Sequence, residues 1–242
     1  MSTSFAAPVA RWHVSQLGVA AALIVTPLAM HISAADEVDP SAALAMQTFL
    51  ARPTITHHYR ASRRLEASGS GQRAWLDVRT DFTIASGLQY EVTAEGGSRY
   101  IRARVLRSLL DEEQQLIARR DEARVAISTA NYDFTPEGFN DEGLAVVGLQ
   151  PRRQDRSLIA GRMFLTADGD LVRLEGRLAR NPSWWTTRVN VVRSYRLING
   201  AVMPVSLETT AHLRVLGSSA LRMTYRYSHI DERPVDENDV DY

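Results

Sequence analysis

Residues 201–215 read AVMPVSLETTAHLRV, and their alternation decides the fold. Ala201, Met203, Val205, Leu207, Ala211, Leu213 and Val215 take turns with Val202, Pro204, Ser206, Glu208, Thr210, His212 and Arg214. A period of two is the signature of a strand with one buried face. Upstream, residues 187–198 alternate in the same way through Val189, Val191, Tyr195 and Leu197. Asn199-Gly200 lies between the two runs, and this pair favours the positive φ angles of a tight hairpin turn. The chain therefore announces an antiparallel meander.

Working outward, strands are expected at 55–65, 76–84, 88–94, 144–149, 158–166, 171–178 and 221–227, joined by turns at Ala67–Gly71, Ser86-Gly87, Asp168-Gly169 and Asn181-Pro182-Ser183. Pro40–Arg52 reads as a short helix with Asp39 as its N-cap and Leu44, Met46, Phe49 and Leu50 as its apolar stripe. Arg99–Arg120 is the long helical candidate, with Ile101, Val105, Leu109 and Leu116 at helical spacing. Asn131–Gly143, holding Pro136, Gly138, Asn140 and Gly143, reads as a long loop. About nine strands with two or three helices make an α+β protein: a curved antiparallel half-barrel sheet wrapped over helices. The mouth of such a half-barrel is a usual place for a ligand pocket.

The chain has 242 residues, 45% of them hydrophobic, enough for one good core. Its first 35 residues carry only Arg11 as a charge; the apolar run Leu17–Met30 is followed by Ser33-Ala34-Ala35. This predicts a secretory signal peptide over 1–35, cut after Ala34 or Ala35, and a periplasmic location; a retained anchor is the alternative. Fourteen apolar positions broken by Thr26 and Pro27 fall short of the roughly 20 that cross a bilayer. A domain over 36–230 and an acidic tail over 231–242 complete the expected organisation. The chain has no cysteine, so disulfides, thiolate metal sites and thiol catalysis are excluded. All 28 basic residues are arginine. Between the leader and the tail there are 26 arginines against 22 acids, too mild an excess to signal nucleic acid.

Motifs with chemistry are few, and neither a cofactor nor a metal is expected. Gly69-Ser70-Gly71-Gln72-Arg73-Ala74 matches a relaxed dinucleotide fingerprint, but a strand follows it where that motif requires a helix. His57-His58 point to opposite faces of a strand and do not easily share one ion. Asp236, Glu237, Asp239 and Asp241 lack the glycine and spacing of a calcium loop. Trp184-Trp185 reads either as core packing and edge cover or as an aromatic rim for a lipid interface. Arg152, Arg153 and Arg156 read either as a solvated turn or as a grip on an anionic head group.

The order of short motifs also carries a resemblance. Asn131-Tyr132-Asp133-Phe134, Leu149-Gln150-Pro151-Arg152-Arg153-Gln154-Asp155-Arg156, Gly161-Arg162 and Val172-Arg173-Leu174-Glu175-Gly176 come first. Ala179-Arg180-Asn181-Pro182-Ser183-Trp184-Trp185, Tyr195, Met203-Pro204 and Gly217 follow. Over Asn131–Ile230 this pattern resembles bacterial exported proteins described as outer-membrane lipoprotein-sorting-like, which are similar in fold to the periplasmic lipoprotein carrier LolA. Arginines stand here where that group often has lysine. The resemblance implies a curved sheet over helices with an apolar cavity suited to acyl chains, and a protein that is not an enzyme. Its partner would be a lipid or an acylated lipoprotein, in transport and outer-membrane biogenesis. Met203, Val205, Leu207, Leu213, Met223 and Tyr225 are the candidate inner wall, and the same alternation also describes an ordinary core. Trp184, Trp185, Arg152, Arg153 and Arg156 complete the candidate site. Two further readings stay open: a sensor that binds a membrane protein partner, as anti-sigma-factor regulators of similar fold do, and a hydrolase built on His57 or His58 with Glu175.

Overall fold

Asn199 and Gly200 take φ angles of 52° and 83°, both left-handed as a two-residue type I′ turn demands, and Ile198 pairs with Ala201 across them. The computed structural model describes residues 40–52, 57–181, 186–213 and 217–235. Its strands are β1 (Tyr59–Gly69), β2 (Gln72–Thr83), β3 (Gly87–Gly97), β4 (Tyr132–Phe139), β5 (Ala145–Pro151) and β6 (Ile159–Leu165). They continue as β7 (Leu171–Leu178), β8 (Thr186–Ile198), β9 (Ala201–Leu213), β10 (Gly217–Ile230) and the two-residue β11 (Arg233–Pro234). All pairings are antiparallel, in the order β3-β2-β1-β10-β9-β8-β7-β6-β5-β4, with β11 beside β10. The result is a large open sheet in an α+β fold.

Four helical segments accompany it: α1 (Pro40–Ala51), α2 (Arg99–Ile101), α3 (Arg107–Ala118) and α4 (Glu122–Val125). A π-helical stretch, Arg102–Leu106, links α2 to α3. Its wider turn sets residues five apart in line, and Arg102 and Arg107 both pair with Glu95 of β3. No helix among the described residues is long and apolar enough to cross a membrane.

The segment 131–143 is not the loop its composition predicts, because Tyr132–Phe139 within it form β4. Pro136 and Gly138 flank a register shift against β5. β4 is the sheet's last strand, and an edge is where proline's missing N–H and a glycine bulge are tolerated.

Register places one row of side chains across the face that the helices cover. Leu76 of β2 faces Leu65, which faces Met223, which faces Leu207. The row continues through Arg193, Leu174, Met163 and Val147. Two core clusters lie along it. The first joins Leu65, Leu76 and Met223 to Leu106 of the π-helical stretch and Leu110 of α3. The second joins Val147, Met163 and Leu174 to Ala42 and Ala45 of α1. Gly169, at φ +79°, lets α1 sit close, since a Cβ there would stand 2.9 Å from the Ala45 carbonyl and the Phe49 nitrogen. Arg193 falls at the seam between the two clusters.

The sheet also splits at that seam. β8 and β9 pair up to their tip, but β8 pairs with β7 only as far as Arg173–Ser194. β9 likewise leaves β10 after Ser206–Thr224. Two local features cause this: a register shift between Ser194 and Tyr195, and Pro204, which has no N–H to offer a neighbour. The shift changes the phase of the strand, so Leu197, expected inward, is 59% exposed and Ile198 is buried instead. The free tip is tied elsewhere. Asn199 Nδ2 donates to the Pro234 carbonyl at 3.1 Å, and Tyr227 Oη donates to the Pro204 carbonyl at 2.8 Å.

Candidate functional site

Where the tip leaves the sheet, two cavities flank Tyr195. The larger, about 590 Å³, lies on the helix-covered face; Phe49, Leu50, Val125, Ile127, Leu171 and Val202 are its apolar wall. Its polar lining includes Arg52, His57, Glu122, Asp170, Arg193 and Tyr195. The smaller, about 330 Å³, opens beside Arg173, Ser194, Val205, Thr224, Tyr225 and Tyr227. Both volumes fall in the range of about 300–1,000 Å³ usual for small-molecule sites.

The charges around the larger cavity are unevenly matched. Arg52 at its rim pairs with Asp170 and donates to the Asp168 carbonyl at 2.6 Å. His57 Nδ1 lies 2.5 Å from Asp231 Oδ2, and the His58 N–H donates to Asp231 Oδ1 at 3.0 Å. The hydrogen bond from His57 holds the Asp231 carboxyl below the usual carboxylate range. Glu122 is exposed.

Deeper in, Arg63 of β1 is 2% exposed and donates to both oxygens of Glu113, at 2.6 and 3.2 Å. Arg63 also donates to Tyr59 Oη at 2.7 Å, and its guanidinium lies 4.8 Å from the centre of the Tyr225 ring. Burial pushes the Tyr59 phenol up to about 12, and burial likewise raises Tyr225 and Tyr227, so these rings are neutral. Arg193 has no such carboxylate. Among the described residues it forms no ion pair and no hydrogen bond, and its Nε is buried without a partner. Its guanidinium lies over the Tyr195 ring, 5.4 Å from the ring centre. Tyr195 exerts the largest influence on it and, against burial, helps hold it above its ordinary pKa. The group is deep in protein yet the residue retains accessible surface, which is the condition of a side chain that faces a cavity.

The candidate wall residues are placed as follows. Met203, Met223 and Tyr225 are buried in the first core cluster, with Val205 and Leu207 packed against it. Val205 and Tyr225 also line the smaller cavity. Trp184, Trp185 and the side chain of Leu213 lie outside the described residues.

The three loop arginines line neither cavity. Arg152 Nη2 donates to Asp133 Oδ1 at 2.6 Å, and Arg156 is exposed without a partner among the described residues. Arg153 donates to Asn131 Oδ1 at 2.6 Å and to the Arg124 carbonyl. Buried Asn131 in turn donates to the carbonyls of Ala123 and Ala126 at 2.9 and 2.8 Å. Arg153 thus fixes the segment that carries Val125 and Ile127, a wall of the larger cavity. Glu175 pairs with Arg173 at 2.6 Å and faces away from the inner row, so the structure does not assemble it with His57. No cluster of potential metal ligands occurs among the described residues.

Sequence reasoning missed Arg193. The signal was present: the alternation Val189, Val191, Tyr195 skips one inward position, and an arginine occupies it.

No family model matches the chain, and no curated protein matches it. Among solved structures, a DUF1329 family protein from Desulfovibrio piger is similar, with a TM-score of 0.39 and 11% identity over 79% of this chain and 92% of that one.

Proposed function

We propose that this chain is an exported, LolA-like binding protein that holds a lipid, or the lipid part of a lipoprotein, in the cavity beside α1 and the β8–β9 tip. The observation that carries the reading is the cavity of about 590 Å³ on the inner face, with Phe49, Leu50, Val125, Ile127, Leu171 and Val202 around it. An acyl chain leaving water for such a wall gains about 0.8 kcal/mol per buried methylene. Transfer by burial needs no reacting group, which fits a site where Arg52, Asp170 and His57 are held in ion pairs and Glu122 is exposed. In this reading the acyl wall lies toward α1 and β7, while Met203 and Met223 belong to the core cluster that holds Leu106 and Leu110.

The test is native mass spectrometry of the protein purified from a bacterial periplasm without detergent, followed by lipid extraction. A defined lipid near one per chain supports the reading and identifies the cargo class. A ligand-free mass that does not shift on adding lipids overturns it and turns attention to the sensor reading, in which a membrane protein is the partner.

A further inference from the structure

We propose that the ligand is a single-chain amphiphile with an anionic end, and that its carboxylate or phosphate is received by Arg193 at the inner end of the cavity. This rests on the cavity being the lipid site, and adds which end of the lipid enters and what charge it bears.

The row Leu76, Leu65, Met223, Leu207, Arg193, Leu174, Met163, Val147 crosses eight strands, and seven of its members are apolar. An arginine in such a row is expensive to keep, because a guanidinium does not shed its proton and burial strips its water. The fold supplies one carboxylate here, Glu113, and Arg63 holds both of its oxygens. Two deep guanidiniums over one carboxylate leave a net positive charge, and Arg193 is the member with free donors facing the cavity. The acids at the rim do not cancel it, since Asp170 is taken by Arg52 and Glu122 is exposed. The missing charge is therefore that of the occupant. A guanidinium fork matches an oxyanion with two oxygens, and the apolar wall from Val202 to Phe49 leaves room for one chain behind it.

The experiment measures binding of dodecanoate, dodecyl phosphate, dodecan-1-ol and inorganic phosphate to the full protein by calorimetry, each amphiphile below its aggregation concentration, and repeats the series with Arg193→Gln. The two anionic amphiphiles are expected to bind about tenfold or more tighter than the alcohol. R193Q is expected to abolish that preference, so that the anionic amphiphiles bind the variant no tighter than the alcohol does. Equal binding of all three amphiphiles to the unmodified protein overturns the Arg193 assignment and leaves the lipid cavity standing, and this comparison does not depend on the variant folding. Inorganic phosphate binding as well as dodecyl phosphate overturns the amphiphile and leaves a simple anion site. Binding of none of the four overturns the lipid cavity itself, and the inference with it.

Discussion

Replacing Arg193 by methionine should make the ligand-free protein more stable. Methionine keeps the unbranched stem and joins an inner row whose other members are apolar. The substitution removes a deep charge with no carboxylate of its own, and desolvating one such ion costs several kcal/mol even after relaxation. Two terms reduce the gain. The stacking of Arg193 on Tyr195 is lost, at most about 2 kcal/mol for a desolvated cation–π pair, and water reaching the guanidinium through the cavity has already relieved part of the penalty. The net is a stabilisation of about 1–3 kcal/mol. At about 2–4 °C per kcal/mol for a domain of this size, Tm should rise by roughly 2–12 °C. The assay is urea unfolding of delipidated protein followed by circular dichroism, with the slope m required to stay unchanged. Added dodecanoate should stabilise the unmodified protein and leave R193M nearly unaffected. A loss of 1 kcal/mol or more in R193M would refute the reasoning, because it would mean that the fold itself satisfies the guanidinium.

Glu113→Gln should have the opposite sign. It leaves the 2%-exposed Arg63 without a counter-charge, at a cost of about 3 kcal/mol read from the shift of the urea midpoint. Gly169→Ala should destabilise by about 2 kcal/mol or more, since it combines a left-handed φ with a Cβ 2.9 Å from the backbone of α1; hydrogen exchange should show α1 opening first. The depressed carboxyl of Asp231 contributes stability above the ordinary aspartate range of about 4, lost as pH falls through its lower folded value. Asp231→Asn should therefore flatten the acid side of the stability profile slightly, the effect being small because the group is exposed. Arg153→Ala should free the 123–131 segment and weaken lipid binding with little change in Tm, which paired calorimetry and melting would reveal.

Most of the sheet is legible in the sequence because local rules act alone there. Asn199-Gly200 and Asp168-Gly169 turn where expected, and the alternation of Ala61 and Leu65 and of Leu76, Val78 and Phe82 matches the burial of β1 and β2, although polar Arg63 and Thr80 share the inward face and β1 runs on through Ala67–Gly69, where a turn is expected. The helix at 40–51 follows from its first-turn proline and the proline after it, but its buried face is set by Ala42 and Ala45, and Leu44 of the expected stripe is exposed. Illegible parts are those where a distant partner overrides the local signal. β4 carries Pro136 and Gly138, residues that argue against a strand until the strand is known to lie at an edge. The exposure of Leu197 follows from the shift at Ser194–Tyr195, and Pro204 hints at that disruption without giving its phase. The 122–129 wall has no periodicity of its own, and Arg153 and Asn131 hold it from another part of the chain.

Register shifts occur on several strands, but several departures of different kinds gather in one place. The bulge, the unpaired hairpin tip, Pro204 and the inward arginine fall within residues 193–206, and the cavity lies against them. A sheet intended only for stability would carry its pairing through this seam, and an apolar residue at 193 would merge the two clusters into one core. Instead the strands part where the row changes from hydrocarbon to charge, so the cavity and the charge have one structural origin. On the proposed reading, a chain that keeps both gives up stability in its empty state and recovers it when an anion fills the gap. That coupling makes the sign of the Arg193→Met effect informative: a stabilised but ligand-blind variant ties the seam to binding, and a destabilised one makes the seam a part of the core.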